Sequence, residues 1–255
     1  CALYLEEGCQ APEEESRLSA WWRLIEETGA IIREDGVWFA DTPRHREIFG
    51  EIRHRVPLAV NEIVARNRTR KFGTDFAVPD AALPEMMAAY RHWPEAVEEI
   101  LEPDEKLRIL AEVTGSPLPA HLPLPETLAR LFSHARLGPP PRSPEEALTL
   151  AWQRLVGVSR IEHAGFGHIG QNHIHLNLLP KDRIEAVVAT ELYRKLACLA
   201  VSLGGSVSAE HGIGKRKRDL LELQVGRRGI ERMRKIKQAL DPGGILCPGN
   251  LFPDT

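Results

Sequence analysis

Hydrophobic positions recur along this chain in two rhythms, one of alternate residues and one of every third or fourth. Residues 2–7, ALYLEE, alternate as a half-buried strand does, and AIIRE at 30–34 is a second short strand. Between them, EEESRLSAWWRLIEETG at 13–29 sets Leu18, Trp21, Trp22 and Ile25 at helical spacing, with acids in front and Gly29 as a stop. A long helical pattern runs from Thr42, as N-cap, with Pro43 at the first helical position, to about Asn67. Pro57 should kink or break it. TDFAVPD at 74–80 is another strand, followed by a helix that begins in DAALPEMMAAY.

Residues 93–150 differ. Proline clusters at 116–125 (SPLPAHLPLP) and 138–144 (GPPPRSP) lie among short amphipathic helices such as EAVEEIL and ETLARLF. Proline at that density predicts a linker-rich helical insertion with extended turns. Alternation returns at SRIEHAGFGHIG and continues into GHIGQNHIHLNLLP at 167–180. A helix follows over 181–205, with Val188, Leu192, Leu196 and Leu199 on one face and paired glycines at its end. Another helix is expected near 229–240. The closing LDPGGILCPGNLF at 240–252 is too rich in proline and glycine to be helical, yet its Ile245, Leu246, Leu251 and Phe252 call for burial. Such a tail clamps either onto its own domain or onto another. Short strands alternating with helices give an α+β or α/β pattern.

The bulk numbers exclude more than they select. The 255 residues suffice for one large domain or two small ones. The net charge of −3, from 36 acids against 33 bases, gives no general attraction to nucleic acid or anionic membranes. No apolar run is long enough to span a bilayer. Cys1, Cys9, Cys198 and Cys247 form no CxxC pair, so the expected setting is reducing and cytoplasmic, with peripheral attachment to an inner membrane left open. The chain opens on Cys1 in an apparent strand, without the basic segment and cleavage site of a signal peptide, and is expected to be a piece of a longer polypeptide.

The candidate chemistry lies in two stretches. His173 and His175 are two apart, so a regular strand points both to one face, whereas His168, seven before His175, points to the other. Gly170-Gln171-Asn172 can turn or bulge to restore convergence. Paired imidazoles suit a borderline metal, and hydrogen-bonded core histidines are the plain alternative. AEHGIG at 209–214 adds a carboxylate beside an imidazole. Glu210 would complete a two-histidine, one-carboxylate set with open positions for substrate. Gly212 and Gly214 would allow close backbone approach; the alternative is a tight turn with an exposed Glu-His pair. One cation of KRKR at 215–218, or an arginine of the helix from Thr42, could meet an anionic substrate, although each is ordinarily a solvated surface charge.

Three motifs in this order, GHIGQNHIHLNLLP, GGSVSAEHGIGKRKRDLL and MRKIKQALDPGGILCPGNLF, resemble the C-terminal half of the FAD-linked oxidases. That family includes D-lactate dehydrogenases, the flavin subunit of glycolate oxidase and D-2-hydroxyglutarate dehydrogenase, within the vanillyl-alcohol-oxidase superfamily. The similarity is close over 158–252 and looser over 42–92. It implies that the chain is a substrate or cap domain, an α+β fold whose mostly antiparallel, ferredoxin-like sheet is covered by helices. An FAD-binding domain would precede it in the same polypeptide. The expected division is a first part of the cap (1–92), the proline-rich insertion (93–150), which is not a feature of that family, a second part with the motifs (151–240) and a tail packed on the flavin domain (241–255).

By position, the resemblance implies His168, His175 and Glu210 as ligands of a divalent zinc, manganese or iron ion, and His211 as catalytic base. It implies Asn177 as a substrate contact. Arg53, on the helix expected to approach the site, is the guess for the group that binds the substrate carboxylate; His173 and Lys215 are further substrate candidates, and Asn250 of the tail is a cofactor candidate. The implied reaction is FAD-dependent dehydrogenation of a small 2-hydroxy acid. The metal acidifies the hydroxyl, an imidazole takes the proton, and hydride passes to flavin. A fragment without flavin should be inactive. Two departures stand out. Gln171 replaces the aspartate of the usual GHxGD pattern, and His173 stands where relatives read asparagine of DGN. A flavin-independent metal hydrolase or isomerase, or a silent interaction domain of the same fold, are the alternatives. The substrate, the electron acceptor, and whether a homodimer or partner subunits form are left open.

Overall fold

The computed structural model describes residues 14–29, 42–116, 123–157 and 160–252, together with residues 3, 36, 38 and 40. The strands expected at 2–7 and 30–34 lie outside the described residues. The chain divides into two compact units, residues 1–55 and 56–255. In the first, helix α1 (Glu14–Glu27) forms as its spacing predicts. Helix α2 (Pro43–Asn67) starts at the proline and is capped by Thr42 Oγ1, which accepts from the His45 amide at 3.1 Å. It runs through Pro57. A proline removes one backbone donor and crowds one carbonyl, and the turns on either side carry the helix across.

The second unit contains a three-stranded antiparallel sheet of order β1-β3-β2, with β1 Phe72–Gly73, β2 His163–His168 and β3 His173–Leu178. The strand expected at 74–80 is shifted: only Phe72 and Gly73 pair as a ladder, and beyond them Ala77 forms single bridges to His173 and Ser206. The histidine-rich stretch is a hairpin rather than one strand. A 3₁₀ turn, Ile169–Gln171, and Asn172 in the left-handed conformation (φ 52°) reverse the chain, placing His168 opposite His173 and Phe166 opposite His175. Asn172 Nδ2 also donates to Asp80, tying down the turn. The hairpin is tight enough at Gly167 that a Cβ there would lie 2.5 Å from the His173 carbonyl oxygen. Only glycine fits.

Residues 93–150 are mainly helical: α3 (Leu83–His92) leads into α4 (Val97–Ile100), α5 (Pro103–Thr114), α6 (Leu124–His134) and α7 (Pro144–Leu155). Their prolines start helices. Pro103 and Pro144 occupy first positions and Pro125 the second, where an amide would have no intrahelical partner in any case. A reciprocal capping box between Glu102 and Glu105 opens α5. The amphipathic faces bury Ile109, Leu110, Leu131, Phe132 and Trp152 in the same core cluster as Leu176 and Leu178 of the sheet. Helix α8 (Arg183–Ser202), capped by Asp182 and buried along Val188, Leu192 and Leu196, contacts β1, α3 and α5. Helix α9 (Arg218–Leu240) is two helices joined at Gly226, whose φ and ψ (68° and 168°) are not helical. The fold is therefore α+β. Among the described residues, no helix is long and apolar enough to cross a membrane.

Candidate metal and catalytic site

Strand β3 sorts its residues by the two-residue period. Ile174, Leu176 and Leu178 belong to the apolar core, so His173, His175 and Asn177 share the opposite face. That face is covered by residues 74–77 and by the turn after α8, which leaves His173 and Asn177 buried at 3% and 2% exposure.

Here four ligand-bearing side chains converge. Asp75, His173, His175 and Glu210 each offer one atom, all within 4.8 Å of one another. Glu210 bridges the imidazoles. Its Oε1 lies 3.0 Å from His175 Nε2 and 3.1 Å from His211 Nε2, and its Oε2 lies 3.9 Å from His173 Nδ1. Partial desolvation works against ionisation of Glu210, but the His175 contact and the surrounding imidazoles outweigh it and hold its carboxyl below the usual value. Burial, followed by the neighbouring His175, lowers the His173 pKa and favours its neutral ring.

The backbone decides the tautomer of His175. Its Nδ1 lies 2.7 Å from the carbonyl oxygen of Thr74, which can only accept, so Nδ1 carries the proton. In the neutral ring Nε2 then turns a lone pair toward a carboxylate oxygen 3.0 Å away. Two lone pairs at that distance repel unless a cation lies between them or a proton is shared. His173 Nε2 is a buried nitrogen without a hydrogen-bond partner: Asp75 Oδ1 is 3.2 Å away but off the hydrogen-bond direction. Ligand atoms around a tetrahedral zinc stand about 3.4 Å apart, and the separations here straddle that figure. The donor set, two imidazoles and a carboxylate with a second carboxylate beside them, fits a divalent transition metal.

Asp75 and Lys217 are the members that sequence reasoning missed. Asp75 is 1% exposed. Its Oδ2 accepts from Lys217 Nζ at 2.6 Å, Ser208 Oγ at 2.8 Å and the His211 amide at 3.1 Å, while Oδ1 accepts from the Glu210 amide at 3.1 Å. Burial alone would raise its pKa, yet Lys217 and these hydrogen bonds overcome that and hold the carboxyl far below the usual range. The one available signal was an aspartate inside the apolar run of TDFAVPD. Gly212 and Gly214 have φ of 71° and 55°, so the turn after Glu210 itself requires them.

His168 is exposed on β2, paired with His173 across the hairpin, and lies outside the four-residue cluster. His211 is at the rim, its side chain 61% exposed. Asn177 lies two residues beyond His175, its amide facing the Ala164 carbonyl at 3.4 Å. Lys215 is exposed, and it is Lys217 of the same run that turns inward. Arg53 is an exposed residue of the first unit, whereas the cluster is built wholly from the second. Asn250 lines a groove of about 440 Å³ with Met233, Ile236 and Phe252. The tail returns to the site at one point: the Leu251 amide donates to the Gly214 carbonyl at 3.0 Å.

The segment that holds Glu210, His211 and both strand imidazoles has known relatives. Residues 141–251 match the family model of FAD linked oxidases, C-terminal domain. This part of the chain is similar to a FAD-linked oxidase C-terminal domain. Over 94 residues it is 39% identical to the D-2-hydroxyglutarate dehydrogenase of Stutzerimonas stutzeri, covering 34% of this chain and 20% of that protein. Over 118 residues it is 33% identical to the glycolate oxidase subunit GlcD of Bacillus subtilis, covering 44% and 24%. A mitochondrial D-2-hydroxyglutarate dehydrogenase of Danio rerio is 36% identical over 92 residues, 36% of this chain and 17% of that one. The matched segment thus spans a quarter or less of the length of each of these FAD-linked oxidoreductase relatives.

Proposed function

We propose that this chain is the substrate-binding part of an FAD-dependent dehydrogenase of 2-hydroxy acids, with a divalent metal held by His175, Glu210 and His173. The observation that carries the reading is the His175–Glu210 contact. A ring whose proton is committed to the Thr74 carbonyl presents its other nitrogen to a carboxylate, and His173 lies beside them with a buried nitrogen unpartnered. This arrangement suits a cation. A zinc, manganese or iron ion there would supply Lewis-acid polarisation of the substrate's hydroxyl and carboxylate oxygens. The flavin, bound by a domain upstream in the whole protein, would accept the hydride.

The chain's own residues do the rest. His211, next to Glu210 and open to solvent, takes the hydroxyl proton at Nε2, with Glu210 Oε1 at 3.1 Å to stabilise the imidazolium that results. In the intact protein, D-2-hydroxyglutarate, D-lactate and glycolate are each mixed anaerobically with the enzyme and bleaching of the flavin absorbance is followed. At least one should bleach it, and His211→Ala should slow that step about 100-fold or more while leaving bound metal unchanged. Full-speed bleaching in His211→Ala would show that the base is elsewhere.

A further inference from the structure

The turn from Ser208 to Gly214 has no regular secondary structure, yet it must hold a carboxylate and an imidazole in register with two histidines of a distant strand. Backbone hydrogen bonds do little of this. The Ala209 amide reaches the Asp75 carbonyl at 2.9 Å, and the next two amides, of Glu210 and His211, go to the Asp75 side chain. Three consecutive N–H groups therefore converge on one residue about 135 positions earlier in the chain. Its Oδ2 also takes Ser208 Oγ and Lys217 Nζ, which brackets the turn from both ends; Lys217 Nζ is also 3.3 Å from Ser208 Oγ. Oδ1 faces His173.

We propose that Asp75, with Lys217 as its counter-charge, is a positioning residue: a buried carboxylate that shapes the Glu210–His211 turn and sets it against the β3 imidazoles. A carboxylate suits four donors at once, since both of its oxygens only accept and together offer about four lone-pair sites. An amide of the same shape has one accepting oxygen, and its NH₂ would point at backbone N–H groups. Lys217 offsets the buried charge at 2.6 Å, which explains why one cation of the KRKR run turns inward while Lys215 and Arg216 stay exposed. Asp75 need touch neither substrate nor flavin. It acts through the two residues whose amides it holds.

The proposal deepens the preceding reading of the site. It is tested in the intact protein by hydrogen exchange of peptides covering 206–214 and by calorimetric titration with Zn²⁺ or Mn²⁺. Asp75→Asn should speed exchange of the 209–211 amides at least about tenfold, leave α8 protected, and weaken metal binding by about 10–100-fold, the range for a lost supporting contact. Its loss of kcat should largely vanish when measured in a His211→Ala background, as expected of a residue that works through His211 and not of one that only stabilises the fold. Arg216→Ala, which removes an exposed positive charge from the same run as Lys217, should change none of these. Should Asp75→Asn not fold, Lys217→Met decides, with the same shifts in milder form. A folded Asp75→Asn, or failing that Lys217→Met, with wild-type exchange at 209–211 and wild-type metal affinity overturns the proposal. If no 2-hydroxy acid is oxidised, the functional reading falls, and the exchange measurement still judges Asp75.

Discussion

The prolines of 93–150 and the histidines of 167–175 both interrupt the apolar pattern of the chain, and the fold resolves the two interruptions in opposite ways. In the helical layer Pro103 and Pro144 are dealt with locally: each opens a helix at a position that lacks an amide partner, and the flanking cap completes the turn. At the histidine hairpin nothing is settled locally. His175 finds its partners at Thr74 and Glu210, 101 and 35 residues away, and His173 faces Asp75 across a similar distance. The first region depends on packed volume and the second on a few directional contacts. A substitution should therefore injure stability in one and chemistry in the other.

The largest effect on folding is expected in the helical layer. Phe132 is fully buried, and Phe132→Ala should lower the unfolding free energy by about 3–5 kcal/mol in urea titration, while metal affinity per folded molecule stays at the wild-type level. If metal binding fell in step, the two regions would not be separable. His175→Ala should show the reverse: metal affinity down by about 100-fold or more, and metal-free stability changed by only about 0.5–1.5 kcal/mol for the lost Thr74 hydrogen bond. A smaller, pH-dependent effect belongs to Asp241, which accepts from Lys237 Nζ and from the Leu246 and Ile245 amides. The Lys237 hydrogen bond first, and then the Leu246 amide, hold its carboxyl below the ordinary 3.8. A depressed folded value means that the stabilisation is complete above the unfolded value and fades as pH falls through the folded one. The difference in urea midpoint between wild type and Asp241→Asn should accordingly be present at neutral pH and shrink as pH falls below the ordinary carboxylate range. A difference that grew on acidification would contradict the sign.

Much of this was legible in the sequence wherever cause and effect are neighbours in the chain. Thr42 and Pro43 announced the start of α2, the spacing of Val188, Leu192 and Leu196 gave the buried face of α8, and the two-residue step from His173 to His175 put both rings on one face. The non-local contacts were not legible. Asp75 reads as a stray polar residue in a strand until the turn at 208–211 is folded against it. Lys217 and Lys215 are indistinguishable in a basic run, and only the path of the backbone after Gly214 turns one of them inward. His168, implied by the resemblance, pairs with His173 across the hairpin and lies outside the four-residue cluster. Pro57 was weighed by its own rule, and the surrounding helix outweighed it.

The bond from the Leu251 amide to the Gly214 carbonyl ties the tail to the loop that carries the proposed base. A change at residues 250–252 would thus disturb the active-site loop, although the two are far apart in the linear map. Assays on variants altered there would measure the reach of that link as well as the chemistry.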